Sequence, residues 1–538
     1  MRRLLIFIAF FGCQNDHVED SPSKIVFETI ATNIEPNLCG GDTQTQILEV
    51  NGTGLGLFDF DNDKDLDLFV VNGAYLEDYA AGPGCRLYEN TSESGLISFI
   101  DVTEKSEINI DTFAIGVAIG DVNGDSFDDL YITCHGPNQL LINNGNGTFI
   151  EMGQSAGIDD NRWGTSASFG DLDGDGDLDL YVCNYLEFDP LNAPPRANYK
   201  GMSVLGGPHG LTPQADVVFQ NNGDGTFVDV TELWGFLTEP AYALNVAILD
   251  FNNDGLQDVF VGNDSMANNL FLNQGNRLFV ESGVRTGAAS NGDGAMQATM
   301  GIAISDVNGD LWPDIFTTNF SSDTNTLLIN NEEGFFEDQT KQFGLGLISR
   351  TMLGWSCGFH DFDGDSKEDL FIVNGHVYPE ASYQMIDSQR LQPMLVLQRQ
   401  GNRFVSIQQQ GIFDDRGAVF GDLDGDADID VIISQRTGGI RVLQNNSTNE
   451  QYIKVILKGA QSNTKGLGTA LQLKMSDGSI QSKWNHDESG FQSSSSTPII
   501  FSYRKGIFPK ELKLVWPNGV SQTVSVSSKE IIVEQPQH

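Results

Sequence analysis

Apolar and polar positions along this chain follow one pattern that returns again and again. A short run of small and apolar residues, such as Gly116-Val117-Ala118-Ile119-Gly120 or Gly417-Ala418-Val419-Phe420-Gly421, leads into an acidic loop. A second apolar run leads out of it, as in Asp67-Leu68-Phe69-Val70-Val71 or Asp369-Leu370-Phe371-Ile372-Val373. Both runs have the length and β-branched character of buried strands. Further on comes a hairpin with an Asn/Gly turn, Leu140-Leu141-Ile142-Asn143-Asn144-Gly145-Asn146-Gly147-Thr148-Phe149 in one copy and Val218 to Phe227 in another. Such turns supply the positive φ that a hairpin needs. One unit is therefore four antiparallel strands, and units begin 62, 50, 79, 56, 55 and 61 residues apart, a period suited to propeller blades.

The seventh unit stops after Arg441-Val442-Leu443-Gln444-Asn445-Asn446 without the strand that should finish it. A matching segment, Ile25-Val26-Phe27-Glu28-Thr29-Ile30-Ala31, stands at the other end of the chain. Pairing the two closes a ring and removes its open edges. From about residue 447 the acidic repeat ends, but alternating segments continue at Tyr452–Leu457, Ala470–Met475, Leu512–Trp516 and Ile531–Val533. The predicted fold class is all-β: a seven-bladed β-propeller over residues 25–446 and a separate, small, C-terminal β-sandwich-like domain over residues 447–538.

The loops carry the chemistry. Each follows the spacing Asp-x-Asp/Asn-x-Asp and then Asp four positions later, so that four side-chain oxygens converge on one hard cation. The predicted ligands are Asp59, Asp61, Asp63 and Asp67; Asp121, Asn123, Asp125 and Asp129; Asp171, Asp173, Asp175 and Asp179; Asp250, Asn252, Asp254 and Asp258; Asp306, Asn308, Asp310 and Asp314; Asp361, Asp363, Asp365 and Asp369; and Asp422, Asp424, Asp426 and Asp430. Seven matches in one sequence setting predict up to seven Ca²⁺ ions. An EF-hand shares the first half of this spacing but needs a bidentate Glu at loop position 12 and flanking helices. Position 12 here is Val70, Ile132, Val182, Val261, Thr317, Ile372 or Ile433, which excludes it. The fourth loop residue is always Gly or Asn, which suits a left-handed turn; the sixth is Gly only at Gly176 and Gly255.

Charge sharpens the picture. The net charge of −44 is concentrated in the loops rather than in a tail, and seven divalent ions would bring it to about −30. So negative a chain is excluded as a nucleic-acid partner, because phosphate binding needs basic patches. Residues 1–12 read as a signal peptide, with Arg2 and Arg3 before an apolar run from Leu4 to Phe11 that is too short to span a bilayer. Gly12-Cys13 resembles a bacterial lipobox, with Phe10 where Leu is usual, making Cys13 the expected lipidated residue; a plain signal peptide with an incidental Cys is the alternative. Residues 13–24 then resemble the acidic tether of surface-exported lipoproteins. The expected location is the bacterial outer membrane or cell surface, or the medium, with membrane contact only through the lipid. Cys39 and Cys85 flank the first unit in Gly/Pro-rich loops, where an oxidising compartment would allow a disulfide; two unpaired thiols are the alternative. Cys134, Cys183 and Cys357 sit in strand patterns as small hydrophobes.

The acidic loops with their flanking strands resemble the FG-GAP/VCBS repeats of integrin α-chain propellers. The tail segments Lys465-Gly466-Leu467-Gly468-Thr469, Glu488-Ser489-Gly490-Phe491-Gln492-Ser493 and Leu514-Val515-Trp516-Pro517-Asn518-Gly519 resemble the ASPIC/UnbV domain. Together they are similar to the cartilage acidic protein family and its bacterial relatives, a resemblance that implies adhesion or matrix binding for some members.

Gly153-Gln154-Ser155-Ala156-Gly157 matches a nucleophile elbow, but it ends an outer strand instead of joining strand to helix, which argues against a hydrolase. Topology points to a different surface. If the acidic loops lie on one face, the next connections emerge on the other, and three of these are long: Asn72–Cys85, Asn184–Ala215 and Asn374–Gln392. They bring Tyr185, Tyr199, His376, Tyr378 and Tyr383 to one face, a composition that suits binding. The bland alternative is that these loops cover the channel mouth and pack on each other. The functional expectation is a cell-surface or secreted calcium-binding propeller that holds a glycan or protein ligand; the alternative is an extracellular polysaccharide-acting enzyme with its site on that same face.

Overall fold

The computed structural model describes residues 25–537 apart from 42–43, 332–333, 379–388, 408–410, 437, 448–450 and 488–489. The signal, lipobox and tether residues, Cys13 among them, and Tyr383 lie outside the described residues. The repeated pattern folds as seven sheets of four antiparallel strands. In the second, Phe113–Gly120, Asp129–His135, Gln139–Asn143 and Phe149–Glu151 pair in chain order. The first strands of successive sheets pack side by side around an axis, from Leu55–Phe58 to Asp415–Gly421 and back to Leu55–Phe58. The chain is a β-propeller, and its sheets are numbered here as blades 1 to 7. Blade 7 takes its outer strand from the N-terminus: Phe27–Ile30 pairs with Ile440–Asn445, Phe27 opposite Asn445 and Ile30 opposite Val442.

Apolar residues fill both the gaps between blades and a core around the axis. Phe58, Phe69 and Leu87 of blade 1 meet Val117, Ile119 and Leu130 of blade 2, and the remaining gaps repeat this arrangement. First strands crowd at the axis, which is why they are rich in Gly and Ala. A Cβ on Gly116 would stand 2.6 Å from the Thr165 carbonyl oxygen.

The C-terminal region is a two-sheet sandwich, as its alternation predicted. One sheet pairs Ile499–Ser502, Tyr452–Lys458 and Glu530–Glu534; the other pairs Ile480–Trp484, Ala470–Met475, Pro509–Val515 and Ser521–Ser525. Leu471, Leu473, Phe501, Leu512, Leu514 and Trp516 are buried between them. This domain does not stand apart from the propeller. Its segment from Gly490 to Ser496 enters the ring, and Ser494–Ser495 adds a fifth, parallel strand to blade 1, Ser494 opposite Gly56. Phe491 is fully buried in the axial core against Trp355, with ring centroids 4.8 Å apart. A Cβ on Gly54 would overlap the Gln492 carbonyl, so the first strand of blade 1 is shaped to this insertion.

The expected Cys39–Cys85 disulfide is absent. Both thiols are free and buried, Cys39 in the axial core and Cys85 in the gap between blades 1 and 2. Each packs as a small hydrophobe in a different core, and burial pushes the thiols up to about 11 and about 12. Cys134, Cys183 and Cys357 are likewise free and buried.

Candidate metal centres and the two faces of the ring

Every acidic loop joins the first and second strands of its blade, so all seven lie on one face. In blades 1, 3, 6 and 7 three carboxylates bring oxygens within 4.8 Å of one another: Asp59, Asp61 and Asp67; Asp171, Asp173 and Asp179; Asp361, Asp363 and Asp365; Asp422, Asp424 and Asp426. Blades 2, 4 and 5 carry Asn at the second ligand position, and that amide donates to the next Asp: Asn123 to Asp125 at 3.0 Å, Asn252 to Asp254 at 3.0 Å and Asn308 to Asp310 at 2.6 Å. These oxygen-only clusters are able to hold a hard metal ion. The fourth loop residue adopts positive φ in every loop, as its Gly or Asn identity predicted. The sixth does so as well, which places Lys64, Ser126, Leu311, Ser366 and Ala427 in the left-handed region at φ between 72° and 85°. That is a local strain the loops carry at five positions.

The last Asp of each loop opens the exit strand and is at most 1 % exposed. In blade 3 its Oδ1 accepts from the backbone N–H of Asn221 at 3.0 Å and its Oδ2 from that of Leu172 at 3.0 Å. The same pair of bonds recurs at Asp67, Asp129, Asp258, Asp314, Asp369 and Asp430. Burial raises these carboxyls, Asp67 to about 9 and Asp129, Asp314 and Asp430 to about 8, despite the N–H donors that favour the anion. A cation bound beside them would favour their ionised form, which is compatible with a metal-ligand role.

In sequence, the Asn that ends each third strand reads as part of a hairpin turn. The structure gives it a second task. Its amide crosses to the previous blade and donates to the carbonyl of the residue after that blade's first Asp: Asn143 to Phe60, Asn221 to Val122, Asn273 to Leu172, Asn330 to Phe251, Asn445 to Phe362 and Asn90 to Leu423, all at 2.8–3.0 Å. In blade 6 Arg399 does the same toward Val307 at 2.9 Å. The links make a closed girdle beneath the metal loops. The recurrence of Asn at one register of the third strand was the signal that could have revealed it.

The FG-GAP-like repeat family matches residues 121–182, 204–261, 250–301 and 306–372, and the ASPIC and UnbV family matches residues 459–534. The chain carries FG-GAP-like repeats and an ASPIC and UnbV domain. It is similar to cartilage acidic protein 1 of Xenopus tropicalis, 29% identical over 183 residues that make up 33% of this chain and 26% of that protein. The human cartilage acidic protein 1 is 30% identical over 166 residues, 29% of this chain and 24% of that one. The chain thus spans about a quarter of the length of the curated relatives it matches. Among solved structures it resembles an Agrocybe aegerita lectin that recognises non-reducing terminal N-acetylglucosamine (TM-score 0.39, 15% identity, 66% of this chain and 79% of that one). It also resembles the V. cholerae biofilm matrix protein Bap1 (TM-score 0.32, 12% identity, 92% and 63%). Among the described residues no helix is long and apolar enough to cross a membrane.

The two faces of the FG-GAP-like ring differ. The ASPIC and UnbV domain lies over the acidic loops, leaving a cleft of about 510 Å³ between them. On the opposite face the long connections do converge: Tyr199, His376 and Tyr378 stand 5.0–5.7 Å apart by ring centroid, with Phe320 beside them. Two of the five expected contact residues are inside, however, and Tyr383 lies outside the described residues. Tyr185 is 2 % exposed and donates to Asp264 at 2.7 Å; His376 is fully buried, its Nδ1 accepting from the Tyr378 N–H. Tyr185 joins the apolar core around the axis and His376 packs against Tyr199, Phe320 and Tyr378, which corrects their reading as exposed contacts. Tyr199 and Tyr378 remain half-buried at the surface. Tyr199 shares a hydrogen bond with Ser321 at 3.0 Å, and Lys200 lies over its ring and donates to Ser322. Ser322 also borders an open groove of about 540 Å³ lined by Asn291, Asp293, Asp323, Lys341, Leu347 and Arg350. Ser155, in the elbow-like segment, occupies a single helical turn after the outer strand of blade 2 and, among the described residues, donates to the Met152 carbonyl and sulfur.

Proposed function

We propose that this protein is an exported, calcium-loaded binding protein that captures an extracellular glycan on the face opposite its acidic loops. One observation carries the reading: the loop face is covered by the chain's own C-terminal domain, whereas the opposite face offers an open polar groove beside half-buried Tyr199 and Tyr378. Amides, carboxylates and an Arg around a wide groove, next to aromatic rings, suit a polyhydroxylated ligand. Calcium is the ion the donor sets favour, being hard, tolerant of six to eight oxygens and abundant outside cells; up to seven are expected. The Arg-led apolar N-terminus and Cys13 support export as a lipid-anchored protein.

The test is a glycan and matrix-protein array probed with a chain beginning at residue 25. Binding to a glycan class is expected, weakened by about 1–2 kcal/mol each in Tyr199→Ala and Arg350→Ala, with calcium content unchanged. Retention of a protein and no glycan overturns the glycan reading. Loss of binding only in variants of the acidic loops moves the site to the other face.

A further inference from the structure

The C-terminal domain touches the acidic loops through both cations and hydroxyls. Lys454 lies 3.7 Å from Asp422 in blade 7, Arg504 3.3 Å from Asp365 in blade 6, and Lys465 3.6 Å from Asp128 in blade 2. Two of the loops with Asn at the second ligand position also receive a hydroxyl. Ser482 Oγ donates to Asp306 Oδ2 at 2.7 Å in blade 5, and Thr464 Oγ1 donates to Asp121 Oδ2 in blade 2. Both acceptors are the first ligand of their loop, and in each the other oxygen is already held by a backbone N–H, Gly309 or Gly124, at 2.8 Å. Each Oδ2 also accepts from a propeller N–H, Ser126 at 2.7 Å or Leu311 at 2.9 Å, so the domain adds a further donor to a carboxylate that the propeller holds through both oxygens.

The same domain is seated through the axis. Gln492 O accepts from the Val117 N–H at 3.2 Å, Ser493 Oγ from Leu55 at 3.1 Å and Ser494 Oγ from Ile119 at 3.1 Å. The plug and the hydroxyl contacts belong to one domain, the plug joining its strands Ile480–Trp484 and Ile499–Ser502.

We propose that metal binding and seating of the C-terminal domain are one linked equilibrium, with Thr464 and Ser482 as positioning residues for the metal ligands Asp121 and Asp306. The inference rests on the calcium reading above. A group that orients a ligating carboxylate strengthens the site through it, commonly 10–100-fold. Linkage makes the effect reciprocal: if the seated domain tightens the two sites, filling them tightens the seat. Loops 2 and 5 have one carboxylate fewer than the all-Asp loops, so they gain most from an added donor.

The experiment is a calorimetric Ca²⁺ titration of the chain from residue 25, with and without Thr464→Val and Ser482→Ala. The pair is expected to weaken two sites about tenfold and leave the others unchanged, while Thr464→Ser retains wild-type affinity at its site. Hydrogen exchange at stepwise lower free Ca²⁺ gives the reciprocal readout on the unaltered chain. Residues 491–496 are expected to lose protection before Asp179–Asn184 does. Unchanged site affinities in the double variant overturn the proposal, as does simultaneous loss of protection in plug and blade. If the unaltered chain takes up no Ca²⁺, the calcium reading falls and this proposal falls with it; normal uptake with unaltered affinities in the variants defeats the linkage alone.

Discussion

At the scale of the residue, two buried groups per blade do most to fix the loop face: the last Asp of the loop and the Asn that reaches the neighbouring blade. Asn221 shows what the second contributes. Its amide is the donor to the Val122 carbonyl at 2.8 Å, its Oδ1 accepts from Gly223, and its backbone N–H serves Asp179. Asn221→Leu keeps the volume but strands a buried carbonyl and an N–H, and is expected to cost about 2–4 kcal/mol in denaturant unfolding. Asn144→Ala, one residue along and exposed in its turn, should cost under about 1 kcal/mol. Equal losses would show the girdle to be idle. The Asp groups set the pH behaviour. Asp67, Asp129, Asp314 and Asp430 are raised by burial from 3.8 to between about 8 and about 9. The folded metal-free protein therefore holds more protons than the unfolded chain between those limits. Their stabilising contribution is full below pH 3.8 and is lost as pH rises through 8 to 9. Metal-stripped protein should consequently melt at a higher temperature at pH 5 than at pH 9. Saturating calcium, which requires the deprotonated carboxylate, should diminish or reverse that order.

At the scale of the element, legibility followed the range over which a signal acts. Strands around the loops were readable because apolar runs, left-handed Gly or Asn and ligand spacing all lie within a dozen residues. Closure of blade 7 was readable too, since Ile25-Val26-Phe27 copies the missing strand. The insertion of Gly490–Ser496 was not, because a Ser-rich stretch carries no strand periodicity and its partners in blades 1 and 2 lie more than 370 residues away. Tyr185 and His376 were misplaced for a related reason: loop aromatics look alike in sequence whether they line a surface or pack inside. The disulfide failed because flanking position says nothing of which core a thiol enters. The N-terminal strand carries its own prediction. It pairs with Ile440–Asn445, and Phe27 packs edge-on against Phe362 and Phe371 at 5.3 and 5.7 Å. A chain beginning at residue 32 bares the third strand of blade 7 and should melt well below one beginning at residue 25. Identical melting of the two chains would show that the ring does not depend on this closure.

At the scale of the whole molecule, the charge decides what the fold requires. The net charge is −44, and the loops of the ring place 25 Asp and three Asn at ligand positions on one face. Unfilled, neighbouring carboxylates repel at short range, where salt screens them poorly because many are half-buried. Basic groups offset this in part: Arg277 of blade 4 reaches back to Asp173 at 2.8 Å, and Lys465 stands 3.6 Å from Asp128. They are few, since the chain has 30 Lys and Arg against 74 Asp and Glu. Bound cations would answer the rest. One site at a hundredfold excess of ion over its Kd contributes about 2.7 kcal/mol, so a few filled sites rival the 5–15 kcal/mol that typically separates folded from unfolded. Thermal unfolding of the chain from residue 25 should therefore fall by more than about 10 °C when calcium is stripped at pH 7.5. Restoring Ca²⁺ should recover the midpoint in a concentration-dependent way, whereas an equal ionic strength of sodium chloride should recover only a small part. A midpoint indifferent to calcium would mean that protonation and the girdle alone hold the loop face together, and the acidic loops would have to be read as an architectural repeat without metal.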